Sequence, residues 1–143
     1  MYKTKHFELY ELVPKAIYEA TPKNKHHRLW GLFDDRALKT LDRLRDRYGS
    51  ATVNDWHWGG NNQFGGWRPG DCEIGSDLSQ HKFGRAFDPK FKLVDPENIR
   101  IDILEPYDPA DELYAHIRCI EMDIPWLHFD VRNYTGLLKV YPS

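Results

Sequence analysis

Apolar and polar positions along the chain follow two periods, and the switches between them mark out the elements. From Asp34 or Asp35 onward, Leu38, Leu41, Leu44 and Tyr48 recur at helical spacing with Arg, Lys and Asp between them. This spacing predicts the longest helix, started by the Asp pair and stopped by Gly49. Upstream, Phe7, Tyr10 and Leu12 are cut by Pro14 and followed by residues 15–20, which predicts two short helices or turns that dock the amino terminus. Residues 21–32 are polar and basic and read as a loop, with His26 and His27 in solvent. Residues 51–58 read as a strand that runs into the glycine-rich 59–66.

Further on, residues 85–91 alternate as a half-buried strand, with Ala86 and Asp88 on one face and Phe87 and Phe91 on the other. Asp95-Pro96-Glu97 has the cap-then-Pro pattern of a helix start, with Ile99, Ile103 and Leu104 as its buried side. Asp108-Pro109-Ala110-Asp111 repeats that signal ahead of Leu113 and Tyr114. Residues 117–121 predict a strand paired with 126–132, and 137–141 an edge strand after the Thr135-Gly136 turn. In 126–132, Leu127, Phe129 and Val131 point into a core while Trp126, His128, Asp130 and Arg132 point the other way.

Length narrows the picture: 143 residues suit one domain over a single core, here a docking segment 1–33, a core 34–132 and a tail 133–143. A net charge of −2 supplies no footprint for nucleic acid, and runs such as 23–28 and 42–47 read as solvated faces. Cys72 and Cys119 are far apart and read as free thiols. No stretch has the ~20 apolar residues that span a bilayer, and the first residues lack the apolar core of a signal peptide, so a soluble, non-exported monomer without membrane contacts is expected.

The chemistry is concentrated in Ser79-Gln80-His81-Lys82-Phe83-Gly84-Arg85-Ala86-Phe87-Asp88. A straight strand would separate His81 and Asp88 by roughly 23 Å at ~3.3 Å per residue, whereas two ligands of one zinc each sit about 2 Å from it. The chain must turn between them, and Gly84 is the residue that allows it. His128 supplies a third ligand, and His, Asp and His leave one tetrahedral position for water, the arrangement of hydrolytic zinc sites. Zinc suits this set better than iron or manganese, though residue types alone leave manganese open. Asp130 shares the His128 face and either holds that ring's second nitrogen or pairs with Arg132. His57 either lies near the cleft mouth or is a buried imidazole between tryptophans. The glycine-rich loop 59–66 lacks the ending of a phosphate cradle and reads as a cleft wall.

Ser79, His81, Gly84, Ala86 and Asp88 fit the S-x-H-x-x-G-x-A-x-D motif, and Trp126-Leu127-His128 the W-x-H motif, of a known family. On these residues the chain resembles the zinc D-alanyl-D-alanine carboxypeptidases and the related phage L-alanyl-D-glutamate endolysins, whose fold the hedgehog signalling domain shares. The likeness covers roughly residues 37–132 and is weak outside the motifs. It implies an α+β fold, a small antiparallel sheet with helices packed on one face, and hydrolysis of peptide bonds in bacterial peptidoglycan. It further implies zinc on His81, Asp88 and His128, with Ser79 and Trp126 beside them.

Many members of that family carry a carboxylate three residues before the last ligand as general acid/base, and here that position is Pro125. Other branches place it six or seven before, which points to Glu121 over Asp123. Arg68 matches the family's arginine facing the substrate carbonyl or carboxylate and is the candidate oxyanion stabiliser; pairing with a surface carboxylate is the alternative. A wall-cleaving enzyme without an export signal suits a phage, with the protein in the host cytoplasm or the virion. The competing reading is a peptidoglycan-binding or virion protein that keeps the metal and has lost turnover.

Overall fold

The computed structural model describes residues 1–142. Its main helix, α2 (Asp35–Tyr48), begins where Asp34 accepts a hydrogen bond from the Arg36 backbone N–H and ends at Gly49, as the apolar spacing predicts. Leu38, Leu41 and Leu44 on its inner face are fully buried. The amino-terminal segment forms a 3₁₀ turn (Leu9–Glu11) and the short α1 (Lys15–Ala20), divided at Pro14. Its docking uses a residue that the sequence assigns to solvent. Asp42 is buried on α2 and accepts hydrogen bonds from the Tyr2 hydroxyl at 2.6 Å and the Lys5 backbone N–H at 2.8 Å. Residues 23–32, expected as a loop, are a 3₁₀ helix (Lys23–Leu32) that buries Leu29 and Trp30, and its His26 ring reaches the Tyr18 and Thr21 carbonyls. Apolar anchors at its end outweigh the polar composition of its start.

The predicted strand at 51–58 is only two residues long, β1 (Ala51–Thr52), because the chain turns at Val53 and Asn54 into a 3₁₀ turn (Trp56–Trp58). The expected strand at 85–91 is likewise divided, into β2 (Ala86–Phe87) and β3 (Lys90–Phe91), which belong to different sheets. The break falls at Asp88-Pro89, where proline has no N–H to continue the ladder. β3 pairs antiparallel with β1. Helix α3 (Pro96–Leu104) starts at the Asp95 cap as predicted, and the second such signal yields only a 3₁₀ turn (Glu112–Tyr114).

The main sheet contains β2, β4 (Cys119–Glu121), β5 (Phe129–Asp130) and β6 (Leu138–Val140) in the order β2-β5-β4-β6. It is antiparallel as expected except at its β6 edge, which runs parallel to β4. Its registers set Phe87 opposite Phe129, and Phe129 opposite Ile120. These side chains join one hydrophobic cluster with Phe33, Leu38, Leu41, Ile99 and the amino-terminal Leu12 and Val13. The helices thus cover one face of the sheet. Alternation turns the partners of those core residues, Ala86, Asp130 and Cys119, to the opposite face.

Candidate metal centre

Strand register builds the site. Asp88 lies two residues beyond Ala86, and Ala86 faces Asp130, so the same face next carries Asp88 beside His128. On the other flank of β5, the Glu121 backbone N–H donates to the His128 carbonyl at 3.4 Å, which sets Glu121 beside the same histidine. Three polar side chains therefore stand in a row across three strands.

His81 arrives from outside the sheet. It sits in a 3₁₀ turn (Gln80–Phe83) capped by Ser79, whose Oγ accepts from the His81 backbone N–H at 3.3 Å. Ser79 thus caps the turn, and it also lines the cavity that His81, Asp88 and His128 share. The turn ends at Gly84, whose φ of 68° is left-handed and where a Cβ would collide with the Leu32 carbonyl. This is the reversal the sequence requires.

Ligand-type atoms of His81, Asp88 and His128 all lie within 4.8 Å of one another, and these residues can hold a metal ion. Asp88 Oδ1 is 3.3 Å from His81 Nε2 and 2.7 Å from His128 Nδ1. Ligands about 2.0–2.1 Å from one tetrahedral ion stand about 3.3 Å apart, which the His81–Asp88 spacing matches, while the 2.7 Å between Asp88 and His128 is a hydrogen-bond distance. The donor chemistry fits as well. His81 Nδ1 is 2.8 Å from the Gly66 carbonyl, to which it donates, leaving Nε2 as a lone pair facing Asp88. His128 Nε2 is 3.0 Å from Asp130 Oδ2, leaving Nδ1 facing Asp88. Each imidazole therefore has one nitrogen tied down and the other aimed at a common point.

Asp130 performs both roles the sequence offers. Besides holding His128, it is gripped by Arg132 through Nε at 2.8 Å and Nη2 at 2.7 Å. Burial pushes the Asp130 carboxyl up, but Arg132 and His128 outweigh it and hold it down at about 2. Burial likewise opposes charge on Asp88, yet His81 and His128 keep it below the usual carboxylate range. His128 shows the converse: burial lowers it, while Asp130 and Asp88 raise it to about 10. The Asp88 and Asp130 carboxylates are thus held charged, with the His128 ring as the cationic partner between them.

Glu121 Oε1 is 3.4 Å from His128 Nδ1, and Glu121 lines the cavity over the ligands. Asp123, the other candidate carboxylate, is exposed, takes a φ of 60°, and does not line that cavity. Arg68 is buried rather than paired at the surface. Its Nε donates to Phe64 O at 2.7 Å, Nη1 to Ile74 O at 3.3 Å and Nη2 to Asp88 Oδ2 at 3.4 Å. Trp126 lines the cavity with the ligands.

His57 follows neither expectation. It is exposed, stacks on Tyr10 with centroids 3.8 Å apart, and lines no cavity at the ligand cluster. Its turn packs against the amino-terminal segment, so the flanking tryptophans draw it to that surface instead. Cys72 and Cys119 are free, and burial pushes the Cys119 thiol up to about 12.

Sequence reasoning misses Arg100. Buried on α3, it donates to the Glu121 carbonyl from Nε at 3.0 Å, and from Nη2 to the carbonyls of Ile124 and of Trp126. It thereby clamps the loop between Glu121 and His128. The available signal was a cation set between Ile99 and Ile103 on the apolar side of a helix. Among the described residues no helix is long and apolar enough to cross a membrane. Comparison with protein-family models, with curated proteins and with solved structures finds no match for this chain.

Proposed function

We propose that the chain is a zinc-dependent peptidase acting on peptide bonds of bacterial peptidoglycan. The observation that carries this reading is the convergence of His81 Nε2, Asp88 Oδ1 and His128 Nδ1, with a second carboxylate, that of Glu121, at their edge. A structural zinc site is closed by four protein ligands, whereas three ligands beside a cavity and an acid/base carboxylate suit hydrolysis. The motifs around these residues, which resemble those of the zinc carboxypeptidases and endolysins, supply the substrate class.

When bound, zinc supplies Lewis acidity and brings the pKa of a water near neutrality. Glu121 takes the proton from the attacking water and returns it to the leaving amine, a transfer for which it is within reach and part-exposed. Arg68 has an acceptor on each nitrogen, yet each Nη keeps a second N–H, enough to polarise one oxygen of the scissile carbonyl. Asp130 and Arg132 fix the His128 ring, and Ser79 and Gly66 fix His81. Pro125 cannot carry a proton from its place in the loop, and in this reading Glu121 takes that role.

Zymography on purified peptidoglycan tests the reading. Clearing that a chelator abolishes and added zinc restores is the expected result. Stoichiometric zinc without clearing would make the protein a metal-containing binder instead.

A further inference from the structure

One row of side chains crosses the whole main sheet. Register sets Glu121 opposite Val140 in the parallel β4–β6 pair, and on its other flank the Glu121 N–H bond to the His128 carbonyl sets it beside His128. Paired residues share a face, so Asp88, His128, Glu121 and Val140 follow one another from the end of β2 across β5, β4 and β6. All four line one cavity of about 450 Å³. The row is polar at its first three positions and ends on a half-buried aliphatic side chain at the edge of the sheet.

The two ends of the row differ. At the Asp88 end, Arg68, Ile74, Asp88 and Trp126 also line a second cavity, of about 250 Å³, which reaches neither Glu121 nor Val140. A peptide laid along the row therefore has a direction, and the proton sets it. Hydrolysis consumes one water: its oxygen joins the carbonyl carbon, the C–N bond breaks, and the amine leaves with the proton that Glu121 carries. The leaving nitrogen must stand about 3 Å from the Glu121 carboxylate to receive that proton. Its α-carbon lies about 1.5 Å further on. Neighbouring strands are about 4.8 Å apart, so the next side chain in the row on that side is Val140.

Resting on the peptidase reading above, we infer that Val140 walls the pocket for the residue released with the new amino terminus, and that its bulk sets the largest side chain accepted there. The acyl side of the substrate runs the other way, towards Arg68 and Trp126. β6 lies beyond residues 37–132, the stretch that the family likeness covers, so this wall is a contribution of the chain's own tail.

The test uses the full zinc-loaded chain and a synthetic stem peptide, L-Ala through D-Ala-D-Ala, whose cut bond is located by mass spectrometry. Two homologues follow, one with an extra methylene on the residue that leaves, the other with it on the residue that keeps the new carboxylate. Wild type should prefer the parent over the first homologue by about tenfold or more in kcat/KM. Val140→Ala should shrink that preference by about threefold or more, and Val140→Ile, which keeps a β-branched strand residue and adds one methylene, should enlarge it. Neither variant should alter the preference against the second homologue or the zinc content. In methyl-labelled NMR spectra, the Val140 signals should shift on adding the amine-side fragment and stay in place with the acyl-side one. Equal effects on both homologues, or an unchanged preference against the first in both variants, would overturn the inference and leave the peptidase reading standing. An uncut parent peptide, with zinc bound, would overturn both.

Discussion

Glu121 and His128 are seven positions apart in the chain and neighbours across the sheet, with Glu121 Oε1 3.4 Å from His128 Nδ1. The contact arises because β4 and β5 pair antiparallel with Ile120 opposite Phe129, so one step outward on each strand brings the two polar side chains to the same face. A carboxylate in this place is next to the three residues that can hold a metal ion without being one of them.

Glu121→Gln keeps the shape and removes the proton carrier. Turnover should fall by about 10²–10⁴ while bound zinc, measured by elemental analysis, stays at the wild-type level. Unimpaired clearing by this variant would take the acid/base role away from Glu121.

Asp130→Asn tests the support of His128. The amide is a weaker acceptor for His128 Nε2–H and frees Arg132 from its two-point grip. Zinc affinity, measured by competition with a chromogenic chelator, should weaken about 10–100-fold. An unchanged affinity would show that the ring is oriented by packing alone.

Arg100→Lys keeps the charge and loses the fork that holds three loop carbonyls. Each carbonyl stranded without a donor costs about 1–3 kcal/mol, so the urea midpoint should drop clearly and activity should fall with it. A variant as stable as wild type would mean that the loop holds its own shape.

Gly84→Ala places a Cβ on a left-handed backbone and against the Leu32 carbonyl. A loss of stability of about 1–3 kcal/mol is expected, together with reduced zinc content, since the turn carries His81. Retention of full zinc occupancy would separate the turn from the ligand it is argued to aim.

The amino-terminal anchor gives a pH dependence. Burial, and then the hydrogen bond to Asp42, raise the Tyr2 hydroxyl from 10.0 to about 12. A raised pKa means that its stabilisation is complete below pH 10 and disappears as pH climbs through about 12. The difference in urea midpoint between wild type and Tyr2→Phe should therefore be largest at about pH 9 and close towards about pH 12. A difference that persists at the upper end would assign the anchor to something other than the neutral phenol.

Long-range packing accounts for what was hard to read. The α2 helix was plain because its spacing is local and fourteen residues long. Strands of two or three residues give periodicity little to work on, so β2 and β3 read as one strand although they pair in different sheets. Asp42 looked like surface because nothing near it in sequence announces Tyr2 as its partner. His57 reads as either a cleft residue or a buried imidazole because its stacking on Tyr10 joins positions 47 apart.

What the sequence by itself determined was the trio of side chains that could hold an ion, the turn at Gly84, and which side chains of 126–132 share a face, since these depend only on residue chemistry and a period of two. Only the tertiary structure decided that β5 lies between β2 and β4, that Gly66 and Asp130 each engage one nitrogen of a histidine, and that Arg100 secures the loop beyond Glu121. The reason is physical: face parity is fixed by local backbone geometry, whereas register and the pairing of buried polar groups are settled when the whole core closes.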